Sequence, residues 1–166
     1  YVDLLVGTPA QRVSVILDTG SGIAAFPCKS CSHCGKHIDP AFEFGHSSTA
    51  VLTQCGPSCP DRCNSGKCSY YQGYTEGSMI SGLWFQDYVR LGDTIQRNPA
   101  VFGKMGCHQN ENKLFYTQKA NGILGVGPRG RGGSRTLLQE IFQDSTHVES
   151  RIFAICLAEW GGRLVV

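Results

Sequence analysis

The constraint that most limits this chain is Asp18-Thr19-Gly20-Ser21, set between two apolar stretches. Val13-Ser14-Val15-Ile16-Leu17 leads into it and Ile23 to Phe26 follows. A carboxylate ending a buried strand, followed by Thr, Gly and Ser, suits a tight turn that presents an acid in a cleft. Thr19 and Ser21 can donate hydrogen bonds, and Gly20 lets a backbone amide come close to the carboxylate. Such a group could hold and activate a water molecule, but only with a second acid to share the proton.

The 166 residues are enough for one domain with a real core. Fifteen basic and 13 acidic residues give a formal charge of +2, which offers no reason to expect nucleic acid or an acidic surface as partner. No apolar run reaches membrane-spanning length, and no initiator Met or signal-like segment is present. Tyr1 falls within what reads as a strand, and Val165-Val166 ends the chain in another apolar run, so the chain reads as a fragment. Of nine cysteines, seven lie between residues 28 and 68, a density that favours an oxidising, secretory compartment. The odd count leaves one thiol over.

The class expected is mostly β with one short helix. Tyr1 to Val6 and Gln11 to Leu17 read as a hairpin joined by Gly7-Thr8-Pro9-Ala10. Residues 28–68, rich in Cys, Gly, Pro and Ser, read as a loop region stapled by disulfides. Residues 69–91 return to strand-forming residues, with a bend expected near Glu76-Gly77. Val101 to Cys107, the glycine-punctuated Gly122 to Gly127, Arg151 to Leu157 and Arg163 to Val166 are further strand candidates. Thr136 to Gln143 reads as a helix: Leu137, Leu138, Ile141 and Phe142 share a face, with Ser134 as the expected cap.

Taken in order, Gly7-Thr8-Pro9-Ala10-Gln11, Asp18-Thr19-Gly20-Ser21, the Tyr74-bearing hairpin and Gly122-Ile123-Leu124-Gly125 resemble the N-terminal lobe of a pepsin-like aspartic protease. The resemblance spans residues 1–166. Phe26-Pro27-Cys28, Cys31, Cys34-Gly35, Tyr71 to Gly82 and Met105-Gly106-Cys107-His108 look like the plasmepsin V group of apicomplexan secretory-pathway proteases. Thr75 points to its coccidian, Toxoplasma-type Golgi branch, and the cysteine-rich insert also resembles that of plant nepenthesin-type enzymes.

This resemblance implies an aspartic endopeptidase with no cofactor, because water is the nucleophile. Asp18 would be one catalytic acid, in the active-site turn with Thr19, Gly20 and Ser21. None of Asp61, Asp87, Asp93 and Asp144 repeats the Asp-Thr/Ser-Gly pattern. The second acid is therefore expected from an absent C-terminal lobe, or else from a second copy of this chain. Tyr74 aligns with the flap tyrosine, followed by Gly77, and Ala25 stands where the usual tryptophan partner of that tyrosine would be. Glu76 at the flap tip, with Gln118, would meet an arginine of a peptide or protein substrate cut at Arg-x-Leu-type motifs. Their plain alternatives are a solvated turn glutamate and an ordinary loop amide. Membrane attachment would come only through an absent C-terminal anchor. A non-catalytic, cysteine-stapled ligand-binding module is the competing reading.

Cys28, Cys31 and Cys34 with His33 and His37 could be read as a zinc site. The secretory setting and the later cysteines Cys55, Cys59, Cys63, Cys68 and Cys107 favour disulfides, and no metal is expected. The nepenthesin-type resemblance implies the pairs Cys28–Cys31, Cys34–Cys107, Cys55–Cys68 and Cys59–Cys63, with Cys156 bonded to the absent lobe. His46, His108 and His147 are read as surface or packing residues.

Overall fold

The computed structural model describes residues 1–92 and 100–166. Its main sheet contains β1 (Val2–Val6), β2 (Gln11–Asp18), β3 (Ala24–Pro27), β4 (Val51–Leu52), β5 (Arg62–Asn64), β6 (Lys67–Gly73), β7 (Met79–Leu91), β8 (Val101–Glu111) and β9 (Gly122–Gly125). The strand order is β1-β2-β9-β3-β8-β7-β6-β5. Because β1 also pairs with β7, six of these strands close into a ring. Most pairs are antiparallel, but β2–β9 and β3–β8 run parallel. The mostly β class expected from the sequence is what forms.

Alternation along the strands feeds two cores on opposite faces. Phe26, Phe85, Met105 and Leu124 enter one cluster with Leu4, Val13, Val15 and Phe42. Their neighbours Ala25, Trp84 and Ile123 enter a second with Ile23, Tyr70, Ile80 and Phe115. Strands covered on both faces read as continuous apolar runs, as Ala24–Pro27 does. Each fully buried Phe contributes roughly 1.5–3 kcal/mol of transfer free energy. Helix α2 (Leu137–Ile141) turns Leu137, Leu138 and Ile141 into the first cluster. Its cap is Thr136 rather than Ser134: the Thr136 hydroxyl accepts from Gln139 N–H, and the Gln139 side chain answers to Thr136 N–H, a capping box. A second single turn, α1 (Lys113–Thr117), follows β8. The hairpin of β10 (Ala154–Ala158) and β11 (Gly161–Val165) forms a separate two-stranded sheet. Leu157 and Trp160 there are 83% and 92% exposed, so it adds little to either core.

Eight cysteines form four disulfides and Cys156 is free, but the pairing differs from the one the resemblance implied. The bonds are Cys28–Cys107, Cys31–Cys34, Cys55–Cys63 and Cys59–Cys68. The cause is the sheet. β3 lies parallel to β8 with Phe26 opposite Cys107, which buries Cys28 and Cys107 together in the first core. Cys31 is left to close a short loop onto Cys34. In the β5–β6 hairpin, Cys63 and Cys68 stand opposite one another, and each is bonded outward to a loop cysteine, Cys55 or Cys59. With Cys28, Cys31 and Cys34 all in disulfides, no thiolate remains there for zinc.

Candidate functional site

Asp18 ends β2 at its pairing with Gly125 of β9. The turn that follows is fastened to the chain beyond β9 by backbone bonds: Val126 N–H donates to the Asp18 carbonyl and Gly127 N–H to the Ser21 carbonyl, both at 2.8 Å, and Gly125 N–H donates to the Ile23 carbonyl. This fit requires bare backbone at position 125. A Cβ there would stand 2.5 Å from the Ser21 carbonyl oxygen and 2.6 Å from Ile23 N. Gly20 N–H donates to the Asp18 carboxylate at 2.9 Å, the amide approach its sequence suggested. Asp18 is half-buried and Thr19 exposed, while the Ser21 hydroxyl is sealed from water without a hydrogen-bond partner.

The hairpin expected as a flap is the turn between β6 and β7, with Gly73 opposite Met79. Tyr74 N–H bonds the Ser78 carbonyl and Gly77 N–H the Tyr74 carbonyl, each at 2.9 Å; Gly77 takes φ +88°, a conformation that favours glycine. The Tyr74 ring packs on Phe115 of α1 at 5.1 Å. Its hydroxyl is buried and makes no hydrogen bond. Burial pushes the phenol up to about 12; the nearby Ser21 hydroxyl opposes this without reaching bonding geometry, and the charges of Asp18 and Glu76 add to it while Arg131 subtracts. Asp18, Ser21, Glu76 and Arg131 thus all lie within electrostatic reach of the Tyr74 phenol. Glu76 is exposed at the tip. Ala25 lies fully buried beneath, and its methyl packs under Gly106. The indole N–H of Trp84, on β7, is likewise sealed without a partner.

Gln118 caps the C-terminal end of α1 and stands outside this meeting point. It is half-buried, and its amide nitrogen is sealed from water with nothing to bond. The other aspartates scanned for a second acid have structural partners. Asp61 takes the guanidinium of Arg131, whose third arm reaches Gln72 on the flap strand. Asp87 is buried and accepts from Ser47 and Thr49. Asp144 pairs with His147, and Asp93 lies outside the described residues.

Comparison with known proteins fits this geometry. The xylanase inhibitor N-terminal family model matches residues 1–165. The chain belongs to that family. Among its relatives, aspartic protease 5 of Toxoplasma gondii is 43% identical over the whole of this chain and 19% of its own length. Plasmepsin V of Plasmodium falciparum (isolate 3D7) is 38% identical over the whole chain and 29% of its own. Aspartic proteinase nepenthesin-1 of Nepenthes gracilis is 30% identical over 76% of this chain and 29% of its own. The chain therefore spans less than a third of the length of these relatives. The likenesses to aspartic protease 5 and plasmepsin V cover the pepsin-like lobe and its cysteine-rich insert together.

One cluster near the flap was not foreseen. Glu111 is completely buried between His108, at 2.6 Å, and His37, at 3.1 Å. Strict alternation would put residues 108 and 111 on opposite faces of β8. A register shift, in which Ser81 faces Asn110 but Gly82 faces His108, inserts one residue and turns both inward. Among the described residues, no helix is long and apolar enough to cross a membrane.

Proposed function

We propose that residues 1–166 are the N-terminal lobe of an aspartic endopeptidase, and that Asp18 is one of its two water-activating acids. The observation that supports this most directly is the Asp18 carboxylate, held by Gly20 N–H at the end of β2 within electrostatic reach of Tyr74. The second carboxylate would come from a C-terminal lobe. Two such acids close together cannot both ionise comfortably, and the aspartic protease dyad is the type case of the resulting split titration. The ionised acid takes a proton from water as the oxygen attacks the peptide carbonyl carbon. The other acid protonates the carbonyl oxygen; on collapse the amine takes the proton held by the first acid, and the second acid regains its proton from the hydroxyl that becomes the new carbonyl. Tyr74 would close over the substrate and keep bulk water out.

Glu76 supports a peptide substrate carrying arginine, since an exposed carboxylate at a flap tip can grip a guanidinium once the cleft closes. Gln118 would be a second contact. A secretory compartment, ER or Golgi, agrees with four disulfides; attachment to a membrane would lie outside this chain. In the full-length protein, Asp18→Asn is expected to cut peptide cleavage at least a thousandfold, roughly what loss of a catalytic group costs. Glu76→Ala is expected to reduce turnover of arginine-bearing peptides far more than that of arginine-free ones. Equal losses on both peptides would remove the arginine role, and unchanged cleavage by Asp18→Asn would remove the protease.

A second reading is a binding module without catalysis, favoured by the family's description as a xylanase inhibitor domain. A full-length protein that bound peptide tightly and never cut it would support that reading.

A further inference from the structure

Glu111 takes no part in the cleavage chemistry, yet it is the most completely buried carboxylate beside the flap. Its Oε1 lies 2.6 Å from His108 Nδ1. Its Oε2 accepts from Gly35 N–H at 3.1 Å and lies 3.1 Å from His37 Nε2. The other nitrogen of His37, Nδ1, is 3.1 Å from the Gln118 carbonyl oxygen. The side chains of His37, Glu111 and His108 are 3%, 0% and 0% exposed.

These partners fix the protons. A carbonyl oxygen only accepts, so His37 Nδ1 must carry hydrogen. His108 Nε2 is sealed with no partner, so the hydrogen of His108 belongs on Nδ1, aimed at Glu111, and that ring is neutral. One further proton must lie between His37 Nε2 and Glu111 Oε2. Without it a carboxylate oxygen would face an imidazole lone pair at close range.

We propose that Glu111 and His37 form a one-proton clamp that positions the segment from residue 112 to 121. That segment carries Phe115, which backs Tyr74, and Gln118, so both would act on substrate binding through it. Neither Glu111 nor His37 would touch substrate. The kinetic part of the proposal rests on the protease reading above; the protonation part does not.

Every group facing the clamp bears on its pH dependence. From β8 come His108 and Glu111, from β6 the phenol of Tyr70, from the insert Gly35 N–H, and from the end of α1 the carbonyls of Gln118 and Ala120. Burial works against charge on His37, but the bond to Glu111, its field and the two carbonyls outweigh this and raise the His37 pKa above 6.5. Burial also opposes the Glu111 carboxylate, but the bonds from His108, His37 and Gly35 outweigh it and lower its pKa below 4.5. His108 is lowered from 6.5, chiefly by burial. The His37 contribution is therefore complete below pH 6.5 and lost as pH climbs through its raised native value. The Glu111 contribution is complete above pH 4.5 and lost as pH falls through its depressed native value. Keeping His108 neutral weakens the fold as pH drops below 6.5. The cluster is tightest near pH 6.5 and loosens on both sides.

The test uses the full-length protein and an arginine-containing peptide, with KM and kcat followed across pH for wild type, Glu111→Gln and Glu111→Ala. Glutamine keeps the shape. Its amide donates to His37 Nε2 and accepts from His108, at the loss of the Gly35 bond, and leaves no proton to lose. In wild type, KM is expected to rise roughly tenfold at alkaline pH, separately from the loss of kcat that ionisation of the proton-donating acid brings to wild type and variants alike. In Glu111→Gln that alkaline rise disappears, with KM near pH 6.5 within about twofold of wild type. Glu111→Ala raises KM roughly tenfold throughout. Nitrogen-15 spectra of the His37 ring give a readout independent of cleavage. Both ring nitrogens should be protonated in wild type at pH 6.5, and one in Glu111→Gln. Superimposable KM profiles for wild type and Glu111→Gln would overturn the clamp, as would a neutral His37 ring in wild type. A protein that cleaves nothing would sink the protease reading, while the ring signals would still decide the clamp.

Discussion

The two walls that meet at Tyr74 are held by different forces. The Asp18 turn is fixed by backbone: three amide–carbonyl bonds join residues 18–23 to 125–127, and glycines let the strands touch. The flap side is fixed by side chains. Phe115 backs Tyr74, Arg131 ties Gln72 to Asp61, and His37 and Glu111 tie the insert to the end of α1. Backbone bonds do not titrate and have little freedom to adjust, whereas propped side chains can be loosened singly. A catalytic acid, as proposed for Asp18, would benefit from the first arrangement because its geometry must not drift. A flap that opens, as proposed for the Tyr74 hairpin, would benefit from the second.

The largest test of this contrast removes covalent support from the cysteine-rich insert and the strand it joins. Cys28–Cys107 joins residues 79 apart in sequence, whereas Cys31–Cys34 closes a separation of 3. Replacing Cys28 and Cys107 together by Ala is expected to cost about 4 kcal/mol in denaturant unfolding, against about 2 kcal/mol for Cys31 and Cys34, because the longer loop restrains the unfolded chain more. Equal losses would mean that native contacts around the insert outweigh loop closure.

A smaller but sharper break is Gly125→Ala. The new methyl would press on the Ser21 carbonyl and Ile23 N, backbone atoms already engaged in the turn. About 3 kcal/mol of stability should be lost, together with most of the activity. Gly45, where an added methyl would meet nothing within 4 Å, is the control: Gly45→Ala should stay within about 0.5 kcal/mol of wild type by thermal melting. A tolerated Gly125→Ala would mean that the turn adjusts as easily as the flap.

The same contrast explains what was legible in the sequence. The Asp18 turn is contiguous and flanked by alternating strands, so both its place and its amide contact could be read from local pattern. So could the flap hairpin, from Gly77 and the strand residues around it. The Glu111 cluster could not, because it depends on the register shift opposite Ser81 and Gly82, and a period of two places its members on opposite faces. The disulfide pairing depended on β3 lying parallel to β8, a long-range fact with no local signature. Helix α1 is five residues long and opens on Lys113 at φ +45°, too short for any periodicity to register. The Thr136 cap was available, since Thr136 and Gln139 have capping-box spacing, but Ser134 offers the same hydroxyl chemistry two residues earlier.

The smallest change separates structure from function at the point where the walls meet. In Tyr74→Phe the ring keeps its contact with Phe115, and only a hydroxyl is lost that is buried and bonds nothing in the free lobe. Removing an unpaired polar atom from such a site should leave stability unchanged or raise it by up to about 1 kcal/mol. If that hydroxyl is kept because it finds a partner once peptide is bound, the full-length variant will melt no lower than wild type while its kcat/KM falls roughly tenfold or more. A fall in melting temperature would mean the hydroxyl already has a partner in the resting protein. Unchanged kcat/KM with unchanged melting would make Tyr74 a packing residue, and the side-chain wall would then owe its form to the sheet alone.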